Sequence, residues 1–261
     1  MIRMKKGILV ASFGTTFEET RKLNIDKIVT DVKNAYPDVP VYEAYTSNKV
    51  RKGLMKRDGI YMDDVHEALE KMYNDKVTNV SILTTHIIDG IESNLIKDEA
   101  KNFNDKFDEI SLSDVLLGAD IDYVDVAKAI YKNLNPVVGN DRLVLMGHGT
   151  THKADESYEK LENVLRQETG MDAYVATVEG SITIEDVIER MKNSDGSKRM
   201  VVTPFMLVAG DHANNDMAGE EDSFKTKLED EGFEPECIVK GLGEYKEIRD
   251  IYMKHLRNCS V

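Results

Sequence analysis

Arg142-Leu143-Val144-Leu145-Met146-Gly147-His148-Gly149-Thr150-Thr151 decides how this chain is built. An apolar run ends in two glycines around one histidine, then in two threonines. That is the pattern of a buried strand, a tight turn and a helix start. The same pattern stands near the beginning, in Gly7-Ile8-Leu9-Val10-Ala11-Ser12-Phe13-Gly14-Thr15-Thr16. A weaker echo pairs Leu83-Thr84-Thr85-His86-Ile87-Ile88-Asp89-Gly90 with Thr203-Pro204-Phe205-Met206-Leu207-Val208-Ala209-Gly210. Together the echoes predict two copies of one structural unit, each opening with the same strand and turn.

Working outward, short apolar runs alternate with longer amphipathic segments, as in βα units around a parallel sheet. Strands are expected near 7–13, 39–45, 78–85, 110–117, 142–148, 172–178, 199–207 and 235–240. Helices are expected near 17–35, 64–74, 92–105, 122–133, 153–168, 183–192, 217–230 and 245–258, with Asp63 and Asp122 as N-caps. The predicted fold is α/β with two similar domains, 1–125 and 126–244, each a four-stranded parallel sheet flanked by helices. Ligands of such sheets gather outside the carboxyl ends of the strands, so an active-site cleft between the two domains is expected.

With 261 residues, 41% hydrophobic and 31% charged, the chain has enough apolar surface for a large core. No apolar run approaches the ~18 residues of a membrane span. The opening Met1-Ile2-Arg3-Met4-Lys5-Lys6 reads as a basic start to a strand, not as a leader peptide, and the cytoplasm is the expected location. Cys237 and Cys259 have no Cys-x-x-Cys spacing and are expected as free thiols. A net charge of -14 argues against nucleic acid, whose phosphates require a positive surface, and favours a divalent cation. It would repel a polycarboxylate unless local cations offset it. Lys49, Arg51, Lys52, Lys56 and Arg57 are one such group, which reads equally well as a solvated helix face.

Three histidines fall at expected strand ends: His86, His148 and His212. His148 lies between glycines, which leaves its imidazole open to close approach. Glu179 directly follows the run Ala173–Val178. Two imidazoles and a carboxylate from three strand ends would suit cobalt, nickel, iron or zinc and leave coordination positions open. Ordinary satisfied polar residues are the competing reading, since no fixed spacing ties the three together. His66, His152 and His255 read as surface residues. The chain has no Gly-x-Gly-x-x-Gly after a strand, no phosphate loop and no Gly-x-Ser-x-Gly elbow, which sets aside dinucleotide, nucleotide and serine-hydrolase chemistry.

The block Phe205-Met206-Leu207-Val208-Ala209-Gly210-Asp211-His212-Ala213-Asn214-Asn215-Asp216-Met217-Ala218 resembles the anaerobic cobalt chelatases that act on sirohydrochlorin. Ser12-Phe13-Gly14-Thr15, Arg57-Asp58-Gly59-Ile60, His86-Ile87-Ile88, Met146-Gly147-His148-Gly149, Val178-Glu179 and Gly241-Leu242-Gly243-Glu244 extend the resemblance along the whole chain. It implies a class II chelatase fold whose last helix, 245–258, packs back on the first domain. It implies His148, Glu179 and His212 as metal ligands, with His148 also the proton acceptor. Phe13, His86, Glu92 and Arg51 are the expected substrate contacts. Where the family carries Asp-Glu-Tyr after the His-Ile-Ile turn, this chain has Ile91-Glu92-Ser93. The implied activity is insertion of Co2+ into sirohydrochlorin in anaerobic cobalamin biosynthesis. The expected partners are the tetrapyrrole and a divalent metal, with no nucleic acid, no membrane and no cofactor beyond the substrate metal. A homo-oligomer stays open. Ni2+ or Fe2+ insertion is the alternative activity, Zn2+ also suits the site, and a non-enzymatic tetrapyrrole or metal carrier is the alternative class.

Overall fold

The computed structural model describes residues 4–259. The chain divides into two compact units, one running to Gly118 and resuming at Arg249, the other spanning Ala119–Ile248. Among the described residues no helix is long and apolar enough to cross a membrane.

In the first unit β1 (Lys6–Ser12), β2 (Val41–Tyr45), β3 (Asn79–Thr84) and β4 (Glu109–Leu112) form a parallel sheet in the order β2-β1-β3-β4. Its helices are α1 (Glu18–Leu23), α2 (Ile25–Ala35), α3 (Asn48–Asp58), α4 (Val65–Asn74) and α5 (Ile91–Asn102). One face of the sheet packs Leu9, Ala11, Ala44, Val80 and Ile82 against Val65, Leu69 and Met72 of α4 and Ile96 of α5. Ile8 and Val10 point to the other face, because side chains alternate along a strand, and both are buried. Burial on both faces explains why these strands read as continuous apolar runs. Each fully buried aliphatic side chain contributes roughly 1.5–3 kcal/mol.

The second unit repeats the plan. Helix α6 (Asp120–Val138) leads into β5 (Arg142–Gly147), α7 (Glu156–Thr169), β6 (Ala173–Thr177), α8 (Ile184–Lys192), β7 (Arg199–Pro204), α9 (Phe224–Asp230) and β8 (Glu234–Cys237). The parallel sheet has the order β6-β5-β7-β8. Val144, Met146, Tyr174, Ala176 and Val202 pack against Ile184, Val187 and Met191 of α8 and Phe224 and Leu228 of α9. The last helix, α10 (Lys246–Arg257), passes from this unit into the first. There Arg249 pairs with Asp31 of α2 at 2.7 Å, and the Tyr252 hydroxyl donates to the Thr85 carbonyl at 2.9 Å.

The repeat predicted from the sequence holds at the level of single backbone hydrogen bonds. Thr46 N–H donates to Ser12 O and Ser47 N–H to Phe13 O; in the second unit Val178 N–H donates to Gly147 O and Glu179 N–H to His148 O. Thr85 N–H reaches Ala11 O as Phe205 N–H reaches Met146 O, and Asn94 N–H reaches Gly90 O as Asn214 N–H reaches Gly210 O. The equivalents of His148, Glu179 and His212 in the first unit are therefore Phe13, Ser47 and Glu92.

Several local expectations need correction. The helix expected over 17–35 breaks at Asn24, which is fully buried and turns its side-chain amide onto the Thr20 carbonyl and hydroxyl. The segment Asn48–Asp58 is helical although it buries only Leu54, because Ser47 caps it by accepting from Val50 N–H. Asp64, not Asp63, caps α4, in a reciprocal box with Glu67. Asp122 sits in the first turn of α6, not at its N-cap, and accepts from Ala119 N–H at 2.8 Å. The helix expected over 217–230 begins at Phe224, and Ala213–Met217 forms a single wide π turn before it. His255, expected at the surface, is buried. Both cysteines are free, as expected.

Candidate functional site

In the second unit the chain runs out from β5 to β6 and then crosses back to β7, so β5 lies between the other two. All three strands are parallel, and their carboxyl ends share one edge. His148 follows β5 directly, Glu179 comes two residues after β6, and His212 lies on the longer loop after β7. Sequence positions far apart thus converge because a parallel sheet delivers its loops to one side.

The rings of His148 and His212 meet edge to face, with centroids 4.8 Å apart and planes at 90°. His148 Nδ1 is 2.9 Å from the Gly149 carbonyl oxygen. An oxygen of that kind can only accept, so Nδ1 carries the hydrogen and the neutral ring presents a lone pair at Nε2. His212 Nδ1 is 2.6 Å from Asp216 Oδ2 and by the same argument also leaves Nε2 free. The π turn produces this second pair, placing Asp216 four residues beyond His212 and on the same side. Such turns recur at functional sites. Glu179 stands to one side, its Oε2 4.0 Å from His148 Nδ1, and its side chain is 61% exposed. Among the described residues no group of three or more His, Cys, Asp and Glu side chains is gathered closely enough to be a formed metal site. The arrangement is two imidazoles in contact with an exposed carboxylate beside them.

The backbone around His148 admits no bulk. Gly149 has φ +82°, and a Cβ there would lie 2.6 Å from Gly180 Cα and 2.8 Å from Thr177 Cβ. A Cβ on Gly147 would meet the Tyr158 ring. The buried phenol of Tyr158 accepts from Gly149 N–H, and burial pushes its pKa up to about 12, so it remains neutral.

The other expected residues lie in the first unit. Phe13 is 45% exposed at the end of β1. Glu92 begins α5 and has one buried carboxylate oxygen without a hydrogen-bond partner. Arg51 engages Asp64 at 3.3 Å and Glu67 at 3.9 Å, so a substrate carboxylate would have to compete for it. Arg57, though exposed, is likewise engaged by Asp58 and the Thr16 carbonyl, and Lys49, Lys52 and Lys56 of the same helix are exposed too. Asp155 and Asp216 were not singled out in the sequence. Asp216 had a signal, since a carboxylate four residues after a histidine can reach its ring on a helical turn.

His86 lies between two hydroxyls, with Nδ1 2.8 Å from Thr84 Oγ1 and Nε2 3.3 Å from Thr46 Oγ1. Desolvation pushes its pKa down to about 4. The unfolded chain binds that proton near pH 6.5. Stability from a neutral His86 is therefore complete above about pH 6.5 and declines as pH falls toward about 4. Urea unfolding at pH 7 and pH 5 should show a loss of stability at pH 5 that shrinks in His86→Gln. An equal loss in the variant would place the pH sensitivity elsewhere.

The fold defines a class of two-unit α/β proteins in which each unit holds a four-stranded parallel sheet. In fold the chain is similar to SirB from Bacillus subtilis with Fe3+, with TM-score 0.68, 13% identity and coverage of 98% of this chain and 95% of that one. It is also similar to CbiX, described as the terminal enzyme of siroheme biosynthesis in denitrifying bacteria, with TM-score 0.59, 14% identity and coverage of 97% and 98%. Sequence narrows the class: the chain belongs to the cobalt chelatase (CbiK) family, whose model matches residues 6–261. It is 33% identical over 257 residues to the sirohydrochlorin cobaltochelatase of Salmonella typhimurium, covering 98% of this chain and 97% of the relative. It is 34% identical over 259 residues to sirohydrochlorin cobaltochelatase CbiKC of Nitratidesulfovibrio vulgaris, covering 97% and 89%.

Proposed function

We propose that this chain inserts Co2+ into sirohydrochlorin, the reaction for which its curated relatives are named, and that His148, Glu179 and His212 hold the metal. The observation that carries the residue assignment is the paired orientation of the two histidines. Each gives Nδ1 to an oxygen acceptor and keeps Nε2 free, with the rings in contact. A histidine whose other nitrogen is held by a carboxylate or carbonyl is the usual metal-binding form, because the second bond fixes both tautomer and ring direction. Two imidazoles and a carboxylate suit Co2+, Ni2+, Fe2+ and Zn2+ alike. The names of the relatives favour cobalt.

Insertion requires that a hydrated dication shed water and that two pyrrole N–H protons leave. A net charge of -14 raises the local concentration of dications. The lone pair on His148 Nε2 cannot hold the metal and accept a proton at once, so the two roles follow one another. As the metal passes to the macrocycle nitrogens, the freed His148 imidazole takes one pyrrole proton and the other leaves to solvent. Phe13, His86, Glu92 and Arg51 are proposed as substrate contacts, supported by the exposed ring of Phe13 and the unpartnered oxygen of Glu92. The free thiols of Cys237 and Cys259 suit a cytoplasmic location.

The test is conversion of the absorption spectrum of free sirohydrochlorin to the metallated one by substoichiometric protein, with Co2+, Ni2+ and Fe2+ compared at controlled free concentrations. Many turnovers with the highest kcat/KM for Co2+ support the proposal. A single turnover would indicate a carrier, and a preference for Ni2+ or Fe2+ would overturn the metal assignment. Asp216→Ala supplies a finer check. Losing the oxygen that holds His212 Nδ1 should weaken Co2+ binding by about 10–100-fold while leaving the KM for sirohydrochlorin in place. Unchanged Co2+ affinity would mean that His212 does not need its partner.

A further inference from the structure

The loops carrying His148 and Glu179 are joined by a third residue. Asp155 ends a short 3-10 turn, Lys153–Asp155, ahead of α7, and is only 7% exposed. Its Oδ1 accepts from Thr150 N–H at 3.0 Å, and its Oδ2 accepts from Ser181 N–H at 2.7 Å and from the Ser181 hydroxyl at 2.6 Å. Thr150 lies two residues after His148 and Ser181 two residues after Glu179. A buried carboxylate is tolerated only when donors surround it, and charge-assisted bonds of this kind are the strong ones. The strand pairing itself ends at Glu179 N–H to His148 O, 2.8 Å, so beyond that point Asp155 is what bridges the two loops. Around this bridge neither glycine has room for a Cβ: at Gly149 it would meet the Gly180 backbone, and at Gly180 it would meet the Asp155 carboxylate.

The first unit serves as an internal control. It makes the same turn after β1, with Gly14 at φ +95° and Thr15 Oγ1 accepting from Phe17 N–H as Thr150 Oγ1 accepts from His152 N–H. Counted from the matching glycine, the place of Asp155 is taken by Thr20, whose hydroxyl accepts from the Asn24 side chain within its own turn. The turn therefore needs no carboxylate, and the carboxylate occurs in the unit that carries the histidine and glutamate.

We propose that Asp155 is a positioning residue of the insertion site, bridging the backbones just past His148 and Glu179 and so setting the separation at which both side chains reach one divalent cation. The proposal rests on the reading of His148 and Glu179 as ligands. It is tested by titrating the full-length protein with Co2+ alone, followed by cobalt absorption, for wild type, Asp155→Ala, Asp155→Asn, Gly180→Ala and His148→Ala, with steady-state insertion kinetics and thermal midpoints in parallel. Asp155→Ala should weaken Co2+ binding about tenfold or more and raise the KM for Co2+ in proportion, with the KM for sirohydrochlorin unchanged. Asp155→Asn keeps one acceptor oxygen and should fall between. Gly180→Ala places a methyl group 2.8 Å from Asp155 Oδ2 and should weaken Co2+ binding in the same way, which covers the case in which Asp155→Ala fails to fold. If His148→Ala loses Co2+ affinity while folded Asp155 and Gly180 variants keep it, the proposal is overturned, including where their thermal midpoints fall. If His148→Ala also binds Co2+ as wild type does, the ligand reading fails and the proposal with it.

Discussion

His148→Ala should lower kcat for metal insertion by about 10²–10⁴-fold, the range expected when a proton-accepting group is lost. The residue is assigned two roles, so Co2+ affinity should fall in the same variant. His212→Ala should show the affinity loss with a smaller change in kcat at saturating metal, because His212 is assigned only as a ligand. Neither change should unfold the protein. The two side chains are 42% and 34% exposed and sit on loops, and such substitutions usually alter stability by less than about 0.5 kcal/mol. Circular dichroism and a urea midpoint separate lost chemistry from lost fold. Wild-type turnover in either variant, at matched folded concentration, would remove that histidine from the site.

Gly149→Ala is the substitution with the largest expected cost to stability. Its backbone φ of +82° lies in the left-handed region, where a Cβ costs roughly 1–2 kcal/mol. The new methyl group would also press on the Gly180 backbone, 2.6 Å from its Cα, and overpacking of this kind adds roughly 1–3 kcal/mol. A total of about 2–5 kcal/mol should appear as a lower urea midpoint, together with weakened Co2+ binding as the loops separate. Gly170→Ala is the control. Its φ is +71° but nothing lies within 4 Å of the added Cβ, so only the backbone cost of roughly 1–2 kcal/mol applies. Equal midpoints for the two variants would show that the Gly149–Gly180 contact carries no weight.

Strand positions were legible because parallel strands buried on both faces concentrate Val, Ile, Leu and Met into short runs. Lys6–Ser12, Arg142–Gly147 and Ala173–Thr177 all lie within a residue of where those runs stand. Helix α3 could be read only as one of two alternatives, for the opposite reason. Its sequence Asn48–Asp58 is dominated by cations and buries only Leu54, so no apolar period marks it, and what starts it is the Ser47 cap. The break at Asn24 was hidden in a continuous amphipathic pattern, since a buried amide bonding its own turn leaves no trace in periodicity. The burial of His255 was missed because a charged helix reads as exposed on all sides when its partners are unknown.

The sequence by itself determined the α/β class, the internal repeat and the metal-chelatase family, and it nominated three candidate ligands. All of these are carried by residue type and order: apolar runs closed by glycine turns, a repeated motif and an idiosyncratic block around His212. Only the tertiary structure decided what those candidate residues touch. The contact between His148 and His212 follows from the adjacency of β5 and β7. The hold of Asp216 on His212 follows from a π turn where a plain helix was expected. The Asp155 bridge follows from two glycines that let the loops after β5 and β6 meet. Such contacts join residues whose separation along the chain is arbitrary, so no local pattern encodes them. They are fixed when the strands take their order in the sheet and bring their loops to one edge.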